Sequence, residues 1–346
     1  MDRPLSVVDR AAYRTQQAAF ALNTTLFQET ARVFARAPRP KIDSSIVRQV
    51  RARFAALLDR DLDNVARGDY PRELLFQIPA RRYLRQIPSL VRDAPGVVRR
   101  MRKGDYRDLP DGVDLSSYPP YYRRTFHWQT DGYLSRRSAA LYDVGVELLF
   151  RGTADVMRRQ IIPPITRFIA GGGGAAHEMR LLDVGCGTGR ALRQIATAHP
   201  SMKYFGIDLS PYYIGAARRL TRDVEHATLL ADNAERLPFV DGHFDVITSV
   251  YLFHELPRNA RRNVLREAHR ALRPGGLLVL EDSAQPSDSP GLAEVLEQFQ
   301  RDFHEPFYRD YLRDDLAELA TECGFEVESS EPHLVAKVVV AHKPAL

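Results

Sequence analysis

A glycine-rich turn between a strand and a helix contains the residue types of this chain that point most directly to chemistry. An apolar strand over 181–184 runs into a loop with Gly185, Gly187 and Gly189, and a helix follows. A backbone without Cβ atoms can lie against a bound cofactor, and the first turn of a helix offers free N–H groups to an anionic group. The turn therefore predicts a cofactor site.

An acidic residue inside the turn narrows the kind of cofactor. Asp183 lies two residues before Gly185, so the spacing is Asp-x-Gly-x-Gly-x-Gly rather than Gly-x-Gly-x-x-Gly. A carboxylate at this place would repel a pyrophosphate, whereas it could accept hydrogen bonds from an ammonium or offset a sulfonium. The acid disfavours a phosphate-bearing dinucleotide.

Four further blocks follow the turn in order. Residues 203–208 form a predicted strand ending in Asp208, about 20 residues after the glycines, where a carboxylate can bind both ribose hydroxyls. The other blocks are residues 231–239, 244–256 and 272–282. Together with the turn they resemble the class I methyltransferases that use S-adenosylmethionine (SAM) as methyl donor and release S-adenosylhomocysteine.

The resemblance implies a cofactor role for particular residues. Asp208 would bind the ribose, Asp232 would accept a hydrogen bond from the adenine amino group, and Asn233 would pair nearby. The other residues implied at the cofactor site are Asp183, Gly185, Cys186, Gly187, Gly189, Leu209, Ala234 and Ser249. We predict no metal site, because Cys186 and Cys323, the two cysteines, lack a partner at metal-ligand spacing.

The candidate catalytic residues follow the fourth strand of the motif region. Methyl transfer from a sulfonium is an in-line displacement, and a base helps when the accepting group must lose a proton. His254 follows the strand near the expected methyl group, and its near-neutral titration suits a base. Glu255, Tyr251 and His127 are alternatives, and a structural role for His254 in holding the next loop stays open.

Two segments supply candidates for the acceptor pocket. The aromatic segment 118–134 contains the one tryptophan, and small-molecule methyltransferases carry a similar segment that covers the cofactor and shapes the pocket. After the fifth strand, a predicted helix from about Gly291 has an apolar face, and similar enzymes form part of the pocket there. The resulting pocket candidates are Tyr121, Tyr122, His127, Trp128, Tyr133, Tyr308 and Tyr311. A packed aromatic hinge and an amphipathic covering helix are the alternatives.

One element of the aromatic segment bears on nucleic-acid chemistry. Residues 118–121 are similar to the Pro-Pro-Tyr element of adenine and amide methyltransferases. That element directly follows the fourth strand, and there this chain has a different sequence, 249–254. With no recognised nucleic-acid module in the extension, nucleic acid is not the expected partner.

Chain length and charge distribution limit the kinds of protein that this sequence can encode. The 346 residues are many for one methyltransferase domain, which predicts an extension. Residues 1–170 carry 30 Lys and Arg against 18 Asp and Glu, whereas 171–346 carry 19 against 26. The basic half could meet a nucleic acid, an anionic membrane surface or an acidic substrate, or the two halves could pair with each other.

The expected location is the cytoplasm. Residues 1–4 lack the apolar core of a signal peptide, and no apolar stretch reaches the length of a membrane span. Two cysteines do not predict a disulfide framework. Peripheral contact with a membrane and the oligomeric state stay open.

The front of the chain is predicted to be helical. Asp43 and the two serines after it should cap a helix that ends at Gly68. Ser135 should cap another as far as about Phe150, and Thr153 a third. The prolines expected to break or end helices are Pro71, Pro79, Pro88, Pro95, Pro163 and Pro164. Residues 105–120 have linker composition, and 171–174 should form a flexible joint.

The sequence thus predicts an α/β fold with a doubly wound, seven-stranded, Rossmann-like sheet and a helical N-terminal extension. The resemblance implies an antiparallel last strand and a cofactor across the carboxyl ends of strands one, two and four. We expect a helical extension over 1–115, an aromatic lid with lead-in helices over 116–170, and a SAM-binding methyltransferase domain over 171–346.

Three functions stay open. The first is methyl transfer from SAM to a small apolar or aromatic metabolite, such as a quinone-like ring, a lipid or a secondary metabolite. The second is an RNA or protein methyltransferase that grips its substrate with the basic extension, for which acceptor binding should depend steeply on salt. The third is a non-catalytic SAM-binding scaffold, although Asp183, Asp208 and Asp232 argue against a degenerate cofactor site.

Overall fold

A central seven-stranded sheet organises the protein, whose computed structural model describes residues 5–34, 43–172 and 174–345. The strands are β1 (Arg180–Val184), β2 (Lys203–Asp208), β3 (Ala227–Ala231), β4 (Phe244–Val250), β5 (Leu272–Ser283), β6 (Glu326–His333) and β7 (Ala336–His342). Their order in the sheet is β3-β2-β1-β4-β5-β7-β6, and β7 runs antiparallel to both of its neighbours while the other pairings are parallel. The predicted doubly wound sheet with an antiparallel last strand is confirmed.

Helices precede the sheet and cover both of its faces. In the described part of the chain they are α1 (Val7–Phe34), α2 (Ser44–Arg67), α3 (Ala80–Lys103), α4 (Arg136–Leu149), α5 (Ala154–Arg158), α6 (Ile162–Ala170), α7 (Arg190–Ala198), α8 (Pro211–Leu220), α9 (Arg258–Ala271), α10 (Ala293–Asp302), α11 (Tyr308–Tyr311) and α12 (Leu316–Glu322). Leu181 packs with α6, α7 and α8, whereas Leu182 packs with α9 and α12. Because successive strand residues point to opposite faces, β1 is buried on both sides, with Leu181 facing one layer of helices and Leu182 the other.

Two predicted helix starts are confirmed at atomic detail. Asp43 accepts a hydrogen bond from the backbone N–H of Ser45 at 2.7 Å, and α2 ends at Gly68 in the left-handed region, with φ of 80°. Ser135 accepts from the backbone N–H of Ser138 at 3.0 Å and starts α4. These caps satisfy backbone groups that a helix end leaves without partners.

Several predicted proline effects are wrong. α3 continues through Pro88 and Pro95, since its inner face packs Tyr83 into the protein and this burial offsets the lost backbone hydrogen bonds. Pro163 and Pro164 lie in the first turn of α6, where the missing N–H groups need no partner, so they begin a helix instead of ending one.

The remaining differences are small. Thr153 precedes α5, but its hydroxyl donates to the Phe150 carbonyl at 2.6 Å and does not cap the helix. Residues 1–4, on which the prediction about a signal peptide rests, lie outside the described residues. Gly173, which belongs to the predicted joint 171–174, also lies outside them. Among the described helices, none combines the length and the apolar character needed to cross a membrane.

Candidate active site

The glycine turn forms one wall of a cavity at the carboxyl ends of the strands. Gly185, Gly187 and Gly189 all have positive φ, at 69°, 53° and 79°. A Cβ atom on Gly187 would have only the Gly185 carbonyl oxygen near it, at 4.0 Å, so it would stand in the cavity itself. Glycine at this position leaves room for a ligand against the backbone.

Asp208 lies at the carboxyl end of β2 and faces the same cavity, which we call the cofactor cavity. Its carboxylate accepts from the backbone N–H of Gly187 at 2.9 Å and of Ser210 at 2.8 Å. Burial raises the pKa of Asp208 to about 6, although these two hydrogen bonds oppose the shift. The carboxylate is therefore fixed in place and ionised at neutral pH, as a ribose ligand requires.

The other predicted cofactor residues divide into two groups. Gly185, Gly187, Asp208, Leu209, Asp232, Asn233 and Ala234 line the cofactor cavity. Asp183, Cys186, Gly189 and Ser249 do not line it in the described structure, and they support the turn from behind. For these four, contact with a bound cofactor stays a prediction.

The supporting residues have identifiable tasks. Asp183 is 1% exposed and accepts from the Thr248 hydroxyl at 2.9 Å, which joins β1 to β4. Burial raises its pKa to about 7. The Cys186 side chain packs over Gly206, where an added Cβ would approach its sulfur to 2.9 Å. Such packing explains why the sequence pattern contains these residues although they do not face the cavity.

A second, larger cavity adjoins the first. It has a volume of about 400 Å³, within the range of about 300–1,000 Å³ that is typical of small-molecule sites. Its wall is mainly apolar and comes from α3, α4 and α10, with Leu90, Val97, Leu141, Leu149, Leu296 and Phe299 among the residues. Tyr142, Tyr251 and Glu255 line both cavities. We call the second cavity the acceptor cavity.

Glu255 is the acidic group at the junction of the two cavities. Its carboxylate accepts from the Tyr133 hydroxyl and lies 3.1 Å from His127 Nε2. On the other side of the imidazole, Nδ1 lies 2.8 Å from a carboxylate oxygen of Glu305, a residue that is 1% exposed. The imidazole thus lies between two carboxylates.

The charge state of His127 follows from these neighbours. Burial by itself would lower the pKa of His127, but the charges and hydrogen bonds of Glu305 and Glu255 outweigh it and raise the pKa to about 10. His127 therefore carries a proton on both nitrogens at neutral pH. It cannot act as a base in that state, whereas it can stabilise a carboxylate beside it.

The same three groups could together bind a divalent cation. The ligand atoms that His127, Glu255 and Glu305 offer lie within 4.8 Å of one another. In the present arrangement the imidazole already bridges the carboxylates and compensates part of their charge. The expectation of no metal site stays a prediction.

His254 faces the acceptor cavity and is held by an acid. Its Nδ1 lies 2.6 Å from the Asp282 carboxylate, which is 0% exposed and also accepts from the Phe253 backbone N–H at 2.7 Å. Burial by itself would lower the pKa of His254, but Asp282 raises it to about 9. The imidazole is thus protonated at neutral pH, and the alternative of a structural role for His254 gains support.

The aromatic candidates divide between the walls of the two cavities and the packed interior. Tyr121, Tyr122 and Tyr133 line the cofactor cavity, whereas Tyr308 and His127 line the acceptor cavity. Trp128 and Tyr311 line neither of these cavities in the described structure. Their packing gives the reason, since the Trp128 ring lies 4.8 Å from the His304 ring and the buried Tyr311 donates to the Ser283 carbonyl.

The backbone of the aromatic segment is strained. His127, Trp128 and Asp131 have φ of 53°, 57° and 65°, and Tyr251, which lines both cavities, has φ of 57°. Non-glycine residues rarely adopt this conformation, and clusters of it occur where a site requires a particular side-chain placement. The strain therefore coincides with the junction of the two cavities.

Sequence reasoning missed four residues of this site. Asp282 is the last residue of the block 272–282, and Glu305 follows the predicted helix that begins at about Gly291, but neither has a motif that assigns it a task at the site. Leu90 and Val97 lie seven residues apart on α3, so helical spacing alone could have placed them on one buried face. That this face belongs to the acceptor cavity depends on how α3 packs.

The cofactor cavity fits the group that the sequence resemblance implies. The cradle at Gly187 admits a ligand against the backbone, the Asp208 carboxylate is fixed by two backbone hydrogen bonds, and Asp232 also lines the cavity. The described residues of the cavity wall include the carboxylates of Asp208 and Asp232 and no basic side chain, which suits a nucleoside without phosphates.

Known proteins share the motif region. A family model described as "Methyltransferase domain" matches residues 181–276. The O-methyltransferase rstn1 of Aspergillus nomiae is 35% identical over 167 residues, which are 47% of this chain and 71% of that protein. An uncharacterized methyltransferase of Synechocystis sp. is 30% identical over 151 residues, 43% of this chain and 67% of that protein. The 24-methylenesterol C-methyltransferase 2 of Oryza sativa is 34% identical over 155 residues, 43% of this chain and 41% of that protein.

The matches cover less than half of this chain, less than half of the sterol methyltransferase and about two thirds of the other two proteins. The family model spans the glycine turn, the strands β2, β3 and β4, nearly all of β1 and the first residues of β5. Asp208, whose carboxylate accepts from the Gly187 backbone N–H, lies within this span. The chain belongs to the class I SAM-dependent methyltransferase family.

Proposed function

We propose that this protein transfers a methyl group from SAM to a small, mainly apolar acceptor that binds in the acceptor cavity. The observation that carries the proposal is the shared wall of Tyr142, Tyr251 and Glu255 between the two cavities. A polar group at the inner end of the acceptor cavity would lie next to the cofactor cavity. In-line displacement requires this kind of alignment, which contributes about 7–11 kcal/mol in well-oriented reactions.

The residues of the cofactor cavity would bind SAM through its nucleoside. Asp208 accepts from ribose hydroxyls, Asp232 accepts from the adenine amino group, and Tyr122 covers the cavity from the aromatic segment. SAM, when bound, supplies an electrophilic methyl group. The protein's part in the reaction is to orient the acceptor, exclude water and remove a proton from the accepting group.

Glu255 is the residue that we assign as proton acceptor. It is the carboxylate that lines both cavities, and it is oriented by the Tyr133 hydroxyl and the His127 imidazolium. The sequence favours His254 as the base, but a protonated imidazole cannot accept a proton. His254 instead donates a hydrogen bond to the acceptor, while Asp282 fixes its ring.

The nature of the cavity favours a small acceptor over a macromolecule. Apolar side chains of α3, α4 and α10 enclose it, and a nucleic acid strand would find few polar partners there. By its name, one relative is a sterol methyltransferase, which agrees with an apolar acceptor. Two unpaired cysteines agree with the cytoplasm as the place of action.

Substitution Glu255→Gln tests the proposal. We expect turnover to fall by about 10²–10⁴, because the amide cannot accept a proton, while SAM affinity changes by less than about threefold. Transfer of a labelled methyl group from SAM to a panel of phenols, hydroquinones and sterols measures turnover, and calorimetry measures SAM affinity. Glu294→Gln, an exposed residue of α10, is the matched control.

Other results would point elsewhere. Wild-type turnover in Glu255→Gln would remove Glu255 as the base. SAM binding without transfer to any member of the panel would contradict a small apolar acceptor and would favour a macromolecular acceptor or a non-catalytic scaffold.

A further inference from the structure

Helix α3 has two faces with different surroundings. Leu90 and Val97 on the inner face line the acceptor cavity. Arg81, Arg85, Arg92 and Arg99 are exposed, and at 3.6 residues per turn they fall within about 40° of one another around the helix axis. A single helix thus separates the acceptor cavity from a row of arginines on the outside.

The charge of this row is largely uncompensated. The helix carries eight Arg and Lys residues against one acid, Asp93, which is half-buried and pairs with Arg137 at 2.8 Å. Arg99 pairs with Asp108 at 2.7 Å. Arg81, Arg85 and Arg92 form no ion pair with any residue that the structure describes. These guanidinium groups are free to meet an anionic surface.

Exposed apolar side chains accompany the arginines. Leu84 is 65% exposed and Val91 is 58% exposed, and both lie beside the arginine row on α3. Of the nine large apolar side chains that are exposed in the described structure, eight precede residue 102, and Val240 is the ninth. The exposed apolar surface is therefore concentrated in the basic part of the chain.

The combination of arginines and exposed apolar side chains on α3 indicates which kind of partner the helix binds. A helix with a basic face and exposed apolar side chains binds at the interface of a bilayer, where anionic lipids attract each cation. A single-stranded nucleic acid would call for aromatic side chains on which bases stack. The aromatic residue of α3, Tyr83, is buried. The helix therefore favours a lipid surface over RNA.

We propose that the outer face of α3, formed by Arg81, Leu84, Arg85, Val91 and Arg92 and called here the α3 docking face, binds an anionic lipid surface. An apolar acceptor dissolved in the bilayer then enters the acceptor cavity along the helix that lines it. The entry of an acceptor from the bilayer rests on the proposed function, because only an apolar acceptor would be dissolved in a bilayer. The docking itself requires neither SAM nor acceptor.

Vesicle binding of the full-length protein tests the proposal. Co-sedimentation compares vesicles of phosphatidylcholine alone with vesicles that contain about one third phosphatidylglycerol, at low and at high salt. We expect at least about tenfold stronger binding to the anionic vesicles, and a decrease at high salt, because each basic residue near an anionic surface adds to the attraction.

Two variants and one control locate the binding. Arg81→Gln, Arg85→Gln and Arg92→Gln combined should weaken binding to anionic vesicles about tenfold or more. Leu84→Ser with Val91→Ser should weaken it severalfold at high salt, where the apolar contribution remains. The control combines Arg219→Gln, Arg266→Gln and Arg309→Gln, three exposed arginines of the methyltransferase domain, and should bind as wild type does.

The outcomes separate docking from methyl transfer. The proposal would be overturned if the protein bound both kinds of vesicle equally. It would also be overturned if the combined α3 arginine variant and its control lost the same amount of binding to anionic vesicles. Stronger binding to a single-stranded RNA than to anionic vesicles, with no effect of the Leu84 and Val91 changes, would assign the face to nucleic acid instead. SAM affinity by calorimetry stays at the wild-type value in every variant, so a failure of docking does not count against the proposed function.

Discussion

Asp208 couples cofactor binding to pH, because burial raises its pKa to about 6 while the ribose requires the ionised form. SAM affinity of the wild type should fall about tenfold per pH unit below that value. Asp208→Asn should bind SAM at least about tenfold more weakly at neutral pH and lose the pH dependence. Calorimetry from about pH 5 to about pH 8 measures both effects.

The exposed Asp223 provides the comparison for Asp208. Asp223→Asn should leave SAM affinity and its pH dependence unchanged. Unchanged affinity in Asp208→Asn would withdraw the assignment of the ribose contact.

His254 couples stability to pH in the opposite direction. Its pKa is about 9 in the folded protein and about 6.5 in an unfolded chain, because Asp282 outweighs burial. The stabilisation is therefore complete below pH 6.5 and is lost as the pH rises through 9. The difference in unfolding free energy between wild type and His254→Gln should shrink by about 3 kcal/mol over this window.

Urea denaturation at several pH values measures this difference, with His177→Gln, an exposed histidine, as the control. A constant difference between wild type and His254→Gln from pH 6.5 to 9 would mean that His254 and Asp282 do not form a charged pair.

At the scale of elements, the turn between β1 and α7 depends on one glycine conformation. Gly189 precedes α7 with φ of 79°, and an added Cβ would lie 3.0 Å from the Ala217 Cβ. Gly189→Ala should lower the free energy of unfolding by about 1–3 kcal/mol, because the side chain is strained and meets α8. Urea denaturation gives the value.

Gly215, within α8, is the matched control. It has an ordinary helical φ, and an added Cβ would have only the Arg219 side chain near it, at 3.8 Å. Gly215→Ala should raise the free energy of unfolding by about 0.5–1 kcal/mol, since alanine favours a helix. A loss of stability there, equal to that of Gly189→Ala, would refute the explanation by local conformation.

At the scale of the molecule, a buried ion pair attaches the N-terminal helices to the rest. Asp61 of α2 is 0% exposed and accepts from Arg159 Nε at 3.0 Å, and the hydroxyls of Tyr13 and Tyr70 donate to the same carboxylate. Asp61→Asn should cost about 3–5 kcal/mol of unfolding free energy, because it leaves Arg159 buried without its counter-charge.

The exposed pair Arg14 and Asp59, 2.6 Å apart, is the control for Asp61. Asp59→Asn should leave the thermal midpoint unchanged, since solvent screens exposed pairs. If Asp61→Asn also left the midpoint unchanged, the N-terminal helices would be attached by apolar packing alone.

Much of the methyltransferase region could be predicted because the sequence patterns that indicate its turns and strands depend on residues close together in the chain. The glycine turn and the strand that ends in Asp208 depend on backbone conformation and on neighbours close in sequence. The continuity of α3 through Pro88 and Pro95 could not be predicted in this way, since burial of its inner face outweighs the local cost of proline.

The sequence by itself indicated the glycine turn, the strand that ends in Asp208 and the α/β class, and the resemblance to the family supplied the antiparallel last strand. Only the tertiary structure brought His127, Glu255 and Glu305 together, because their contacts span more than a hundred residues or depend on the strained aromatic segment. It also decided the charge states of His127 and His254, since a pKa is set by the carboxylates that packing places beside each ring. The pattern of residues identifies the cofactor site, and the packing of distant elements forms the acceptor cavity.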